Sequence, residues 1–251
     1  MLKAIIIGIK SYFKSFYLIS ELKLWRYFII PIMVSLITLV SIGISAYIFS
    51  DTIAQYFIGV LPWYLGDTWT SNILEILSAA TIIIFGIIIY KYIVLALSAP
   101  FMSTVSEKIE MHVTGKINHN YRNTSFIQQL WRGIRINLRN LCKELLLTIL
   151  ILALSFIPII GLFSSILLFL LQAYYAGFGN IDYTLERHFN YKTSLQFVQK
   201  NRGLAIGNGI VFMLLLLIPV IGALLVLPLS VTAASASTLK KLQLEIVEKT
   251  H

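Results

Sequence analysis

Ile157-Pro158-Ile159-Ile160-Gly161 and Ile218-Pro219-Val220-Ile221-Gly222 stand sixty-one residues apart, each inside an apolar run and each without charge. Proline lacks the N–H that a helix interior needs and clashes with the preceding turn, while glycine tolerates the backbone angles of a tight reversal. Both stretches therefore read as tips of helical hairpins. The arm before Pro158, residues 145–157, is 13 residues long, or about 20 Å of helix against a hydrocarbon core of about 30 Å. The arms 162–177, 203–218 and 223–239 reach roughly 24–26 Å by the same rise. Two readings follow. In one, a pair of hairpins enters the membrane and turns inside it; in the other, four ordinary spans turn at the far surface. An apolar Pro-x-x-Gly tip sits poorly in water, which favours the first. A turn at depth then requires protein or a wet cavity to satisfy its backbone.

Working outward, 251 residues carry 58% hydrophobic and only 12% charged side chains, about half the charge of a soluble domain. The chain is an integral membrane protein. Cys142 stands alone, which excludes an internal disulfide and a cysteine metal cluster. Residues 25–49 and 73–97 form two nearly uncharged runs, long enough to span with some tilt. The segment between them, 50–72, holds Asp51 and Asp67 and no Lys or Arg. All twenty basic residues lie within 1–26, 91–143, 187–202 or 240–249. The positive-inside rule places both termini and both hairpin bases in the cytoplasm and the aromatic loop bearing Trp63, Tyr64 and Trp69 outside. The +9 net charge is thus a topology signal and an anion field, and nucleic acid is not an expected partner.

The expected architecture is all-α: two long transmembrane helices, two partly penetrating hairpins at 145–178 and 203–239, and interfacial helices, in a single membrane domain over 1–251. Residues 1–20 predict an amphipathic helix on the inner leaflet, with Lys3, Lys10, Lys14 and Glu21 on one face and Ile5, Ile9, Phe13 and Phe16 largely on another. At Ser20-Glu21-Leu22-Lys23 the chain turns into the first span, with Ser20 as the expected cap. Exposed N–H groups beside Lys23 and Arg26 form an anion perch, or these residues with Trp25 and Tyr27 merely anchor the span at the headgroups. Pro31 predicts a kink or restart of that span. Within the cytoplasmic segment 101–144, Glu107 and Glu110 share a helix face. Arg132, Arg135 and Arg139 make a basic stripe that faces anionic headgroups, or pairs in part with those glutamates. Gly179 to Tyr183 reads as the connection between hairpins. Gly203 and Gly207 form a GxxxG, and Ser230 to Ser237 is rich in small residues suited to close packing or a narrow polar path. The shared turns and hydropathy of the hairpins suggest an internal repeat, an arrangement that often places a substrate site where repeats meet.

No HExxH, GxSxG, Walker or Rossmann pattern occurs. His112, His119, His188 and His251 are scattered and read as ordinary interfacial or loop histidines. Neither an enzyme, a metal site nor a cofactor is expected.

Leu95-Ala96-Leu97-Ser98-Ala99-Pro100-Phe101, followed by Glu107-Lys108-Ile109-Glu110, resembles the signature of the CysZ sulfate permease family, grouped with the etoposide-induced, autophagy-associated membrane proteins. The likeness continues through Asp182-Tyr183, Arg187, Arg202 and both turns (Pro158, Gly161, Pro219, Gly222), covering roughly 22–239. It implies two spanning helices and two partly penetrating hairpins, assembled as homo-oligomers around sulfate-conducting paths. It also implies an anion site at the turn before the first span, where the family tends to show Gly-Leu-Arg-Arg and this chain has Lys23-Leu24-Trp25-Arg26. Met102 stands where Asn is common, and Thr184 where proline is frequent. Some members are thought to pair protomers in opposing orientations; the one-sided basic residues here point to a single direction. Glu107, Glu110, Asp182, Arg187 and Arg202 would form a gating or structural network. Importing a dianion against an inside-negative 100 mV costs about 4.6 kcal/mol at about 2.3 per charge, so uptake needs consumption inside or proton coupling. The competing expectation is a scaffold that transports nothing and binds partners or lipids through its amphipathic segments, with the Arg132–Arg139 stripe as its contact.

Overall fold

The computed structural model describes residues 1–60, 68–115, 124–218 and 221–250, and every regular element among them is helical. In chain order these are α1 (Leu2–Glu21), a short 3₁₀ helix (Leu24–Phe28), α2 (Ile29–Val60), α3 (Thr68–Leu97), α4 (Ala99–Thr114), α5 (Phe126–Leu154), α6 (Pro158–His188), α7 (Tyr191–Lys200), α8 (Arg202–Leu216) and α9 (Ile221–Thr250). Trp63, Tyr64, Asp67, His119, Pro219 and His251 lie outside the described residues.

Among the described residues, three helical segments are long and apolar enough to cross a membrane: Leu24–Gly59, Ser71–Leu97 and Gly161–His188. Two were expected. The third arises because α6 continues past residue 177 and takes in Gly179 to Tyr183, which the sequence placed in a connection. Polarity misled there: Asn180, Asp182, Glu186 and Arg187 are polar because they are buried against one another's partners, not because the chain turns. Much of the expected loop 50–72 is also helix, since α2 runs to Val60 and α3 begins at Thr68. Asp51 there accepts from Gln55 at 2.9 Å, one helical turn on. The restart expected near Pro31 appears as the change from 3₁₀ to α helix at Ile29.

The first reversal occupies Ser155 to Ile157. Ile157 is extended, and Pro158 opens α6 at its first turn, where the missing N–H costs nothing. Gly161 corrects the expectation for these glycines. It is helical, with no left-handed angle. Its role is steric, because an added Cβ would lie 2.6 Å from the Ser155 carbonyl oxygen. Gly222 repeats the device against the Leu215 carbonyl.

The GxxxG brings α1 and α8 together. An added Cβ at Gly203 would meet the Met1 carbonyl at 2.8 Å, one at Gly207 would strike the Ile5 carbonyl, and one at Gly8 would meet the Asn208 amide at 2.8 Å. Gly177 and Gly209 give α6 and α8 the same intimacy. Helix α1 therefore has a third face: Gly8, Ser15 and Ile19 are buried on protein, while Phe13 and Phe16 stay exposed beside the lysines. One apolar core joins the end of α1, the 3₁₀ helix, the end of α3, α4 and α9 through residues such as Phe28, Leu95, Met102 and Val231. A second joins α5, α6, α7 and α8 around Phe178, Ile181 and Phe197.

Candidate functional site

The buried charges gather around the last turns of α6. Each helix contributes one face. Pro100 sits in the first turn of α4, whose Ser103, Ser106 and Glu110 fall three and four apart and point at α6. Ser125 caps α5 by accepting from the Gln128 amide, with the Gln128 side chain accepting in return from the Ser125 amide. That fixes where the arginines of α5 begin. Asn190 caps α7 through the Thr193 amide at 2.9 Å and holds Ser194 over the same cluster.

Arg187 is the hub. Its guanidinium donates to Glu110 Oε2 at 3.0 Å, Ser106 Oγ at 2.9 Å, and the carbonyls of Ser103 and Tyr183, each at 3.0 Å. The other Glu110 oxygen faces His188 Nε2 at 2.8 Å. Burial alone would lift the Glu110 carboxyl, but His188 and Arg187 outweigh it and hold the group below its usual range. Asp182 is paired with Arg132 in a fork, 2.9 Å from Nε to Oδ2 and 2.8 Å from Nη2 to Oδ1. The same guanidinium reaches Ser194 Oγ at 2.7 Å and the Phe189 carbonyl at 2.9 Å. Asp182 thereby keeps Arg132 charged against the opposing effect of burial. Glu186, also buried, accepts from the Ser103 hydroxyl. Ser106, Thr184 and Ser235 close a hydroxyl triangle of 2.8, 2.9 and 3.1 Å across α4, α6 and α9. Thr184, the residue standing where proline is frequent, thus ties three helices.

Of the expected network, Glu110, Asp182 and Arg187 come together and Arg202 does not. Arg202 is exposed and donates to the Gln199 carbonyl at 3.1 Å. Glu107 is half-buried and, among the described residues, makes no ion pair or hydrogen bond. Of the arginine stripe, Arg135 is exposed, whereas Arg132 and Arg139 are half-buried. Arg132 turns inward, and Arg139 donates to Asn140 Oδ1 at 2.9 Å while lying over the Phe178 ring. Arg135 stacks on Tyr191. None of the three pairs with Glu107 or Glu110, because α4 offers those carboxylates to α6. His188 belongs to the network rather than to a loop.

The turn at 20–26 differs in detail. Ser20 does not cap the following helix; Lys23 occupies that place, with no side-chain cap, in the left-handed conformation at φ 50° and ψ 42°. Ser20 Oγ instead faces the Trp25 indole N–H at 3.4 Å. Leu24 is buried, whereas Lys23, Trp25 and Arg26 are exposed. Arg26 donates to the Tyr27 hydroxyl at 3.1 Å and lies over its ring, which Lys108 also approaches.

The sequence did not single out Lys91 and Glu144. Lys91 Nζ donates to both oxygens of Glu144 at 2.8 and 3.0 Å, and the Tyr92 hydroxyl donates to the same carboxylate. The signal was available: each charge interrupts an apolar run, and such charges need partners.

A largely apolar helical molecule with its charges folded inward defines a multi-helix membrane protein. The chain belongs to the family described as Sulfate transporter CysZ/Etoposide-induced protein 2.4, whose model matches residues 11–228. It is 26% identical over 215 residues to the sulfate transporter CysZ of Vibrio parahaemolyticus, covering 84% of this chain and 85% of that one. The sulfate transporter CysZ of Vibrio cholerae is likewise 26% identical over 215 residues, covering 84% of each chain. That of Pectobacterium atrosepticum is 24% identical over 233 residues, covering 91% of this chain and 82% of its own.

Proposed function

We propose that this protein is a permease or channel for a small inorganic anion, with sulfate the foremost candidate, in a bacterial inner membrane. The observation that carries the reading is similarity along most of the fold to relatives named as sulfate transporters. The inward-folded charges support it, since ionised side chains within apolar helices mark ion routes more often than they add stability.

Lys23 and Arg26 capture the anion at the turn before α2, with the amides of Leu24, Trp25 and Arg26 as further donors. Glu110, Asp182 and Arg187 hold the base of the helices in register, Glu107 stands beside them, and Arg202 lies at the rim. Both termini face the cytoplasm, and the connection between α2 and α3 faces outward. The second hairpin penetrates without crossing, whereas α6 of the first is long enough to cross. Helix α8 has 15 residues, or about 22 Å against a core of about 30 Å. The hairpin ends are apolar and bare, with Phe156 89% and Leu217 73% exposed, which suits hydrocarbon and not water. The apolar outer faces take up lipid and further copies of the chain in a homo-oligomer. The competing scaffold reading needs a basic stripe turned to the headgroups, and Arg132 is committed to Asp182 instead.

Purified protein in liposomes is expected to take up labelled sulfate above empty vesicles, and Arg26→Ala to lower that uptake several-fold. Uptake equal to that of empty vesicles would reject the permease reading.

A further inference from the structure

The first turns of α1, the junction of α7 with α8 and residues 237–241 of α9 meet at the base of the helices and border a cavity of about 310 Å³. That is the lower end of the range for small-molecule pockets, roughly 300–1,000 Å³. Three lysines line it, Lys3 from α1 and Lys240 and Lys241 from α9. Helical spacing explains their convergence. Ser237, Lys240 and Lys241 fall three and four apart on α9, and Lys3, Ala4 and Ile7 recur in the same way on α1, so each helix turns one face to the cavity. Gly203 lets the first turn of α8 close on Met1 and Ala4, which fixes where Lys3 stands. Among the described residues no carboxylate lines the cavity, so the ammonium groups repel one another with no protein counterion between them. Helix α8 opens at the same place without a side-chain cap, because Asn201 donates its amide back to the Phe197 carbonyl at 3.1 Å. The first turn of that helix adds partial positive charge. The rest of the wall is apolar, from Met1, Ala4, Ile7 and Leu204, and the neighbouring Leu2 and Ile6 are exposed one helical turn apart.

We infer that this cavity is a headgroup site for an anionic phospholipid of the leaflet in which the helix bases stand. The phosphodiester sits among Lys3, Lys240 and Lys241, and the acyl chains run out over Leu2 and Ile6. Basic pockets between membrane helices take up such headgroups, and three lysines at the membrane surface contribute roughly a hundredfold in affinity. Free phosphate or sulfate offers the lysines the same charge but has nothing to lay on the apolar wall. A lipid satisfies both halves of the lining. Once bound, it bridges three helices, α1, α8 and α9, where two of them touch through Gly203. Such a site needs no anion conduction, and the turn at Lys23 and Arg26 takes no part in it.

The purified full chain in detergent is mixed with dioleoylphosphatidylglycerol, with dioleoylphosphatidylcholine, or with inorganic phosphate or sulfate at matched concentration. Phosphatidylglycerol at about a hundredfold excess over its Kd is expected to raise the midpoint of thermal unfolding by roughly 5–10 °C, and the others by about 1 °C or less. In the wild type it also slows amide exchange in residues 1–7, 201–204 and 237–241. Lys3→Gln/Lys240→Gln/Lys241→Gln is expected to unfold near the wild-type midpoint without lipid and to bind phosphatidylglycerol roughly a hundredfold more weakly. Lys10→Gln/Lys14→Gln/Lys192→Gln removes the same charge from exposed positions outside the cavity and is expected to keep at least about half of the lipid-induced shift. An equal loss in both triple variants would overturn the site in favour of diffuse attraction. Unchanged exchange in the three wild-type segments would overturn it as well, and that measurement decides even if a variant fails to fold. Stabilisation by phosphate or sulfate matching that by phosphatidylglycerol would overturn the lipid and give the cavity to a free anion. The permease reading stands or falls separately, on sulfate flux.

Discussion

Lys23 is the one non-glycine residue among those described that adopts a positive φ, at 50°. Its Cβ crowds the following carbonyl in that conformation, a strain of roughly 1–2 kcal/mol that glycine does not feel. The glycine usual at this place in the resembling family is thus explained by backbone geometry, and its replacement here exchanges ease of turning for a positive charge. Lys23→Gly is expected to raise stability by about 1 kcal/mol, read as a higher midpoint of thermal unfolding in detergent. If the ammonium captures anions, the same variant loses sulfate flux while gaining stability, a divergence that a purely structural lysine would not produce. Glu110, Asp182 and Arg187 were legible as a charged group because carboxylates and arginines near membrane depth must find one another. Their pairing was not legible. Whether Arg132 meets Asp182 or Glu110 depends on how α5 rotates against α6, and sequence spacing within one helix carries no information about that angle.

Among the elements, the glycines separate into two kinds that composition cannot distinguish. Gly207 admits the Ile5 carbonyl of α1, and no side chain fits between the two helices. Gly207→Val is expected to destabilise the protein by roughly 3 kcal/mol, or to release α1 from α8, detectable as faster amide exchange in α1. Gly43 in α2 has nothing within 4 Å of an added Cβ. Gly43→Ala is therefore expected to stabilise by about 0.5–1 kcal/mol through lower backbone entropy. The all-helical class and the long apolar helices were readable from hydropathy, because that signal is local. The length of α6 was not. Asn180 to Arg187 look like a loop by polarity, and only the facing polar residues of α4, α5 and α9 make a helix of them. The amphipathicity of α1 was likewise half readable: its lysines and phenylalanines were plain, but the small-residue face that meets α8 had no hydrophobic signature.

For the whole molecule, the depth of the hairpins decides how much of the surface meets lipid. In a Cys142→Ser background, Phe156→Cys and Leu217→Cys are expected to resist a membrane-impermeant thiol reagent from either side of sealed vesicles, whereas Trp69→Cys reacts from outside. Rapid labelling at Phe156→Cys would make these arms full crossings. The class of the fold was readable from composition alone, since so few charges leave no other solvent for the exposed apolar faces of α2 and α3. Long-range order was not, and the seating of α1 is the clearest case. Tyr12 donates to the Asn208 carbonyl across 196 positions of sequence, beside the glycines that let the two backbones touch. A ribosome adding roughly 5–20 residues per second needs about 10–40 s to make the partner of a helix it has already released. Through that interval the buried edge of α1 has no α8 to rest on. The seating of α1 is thus a late event, closed only after most of the chain has been made.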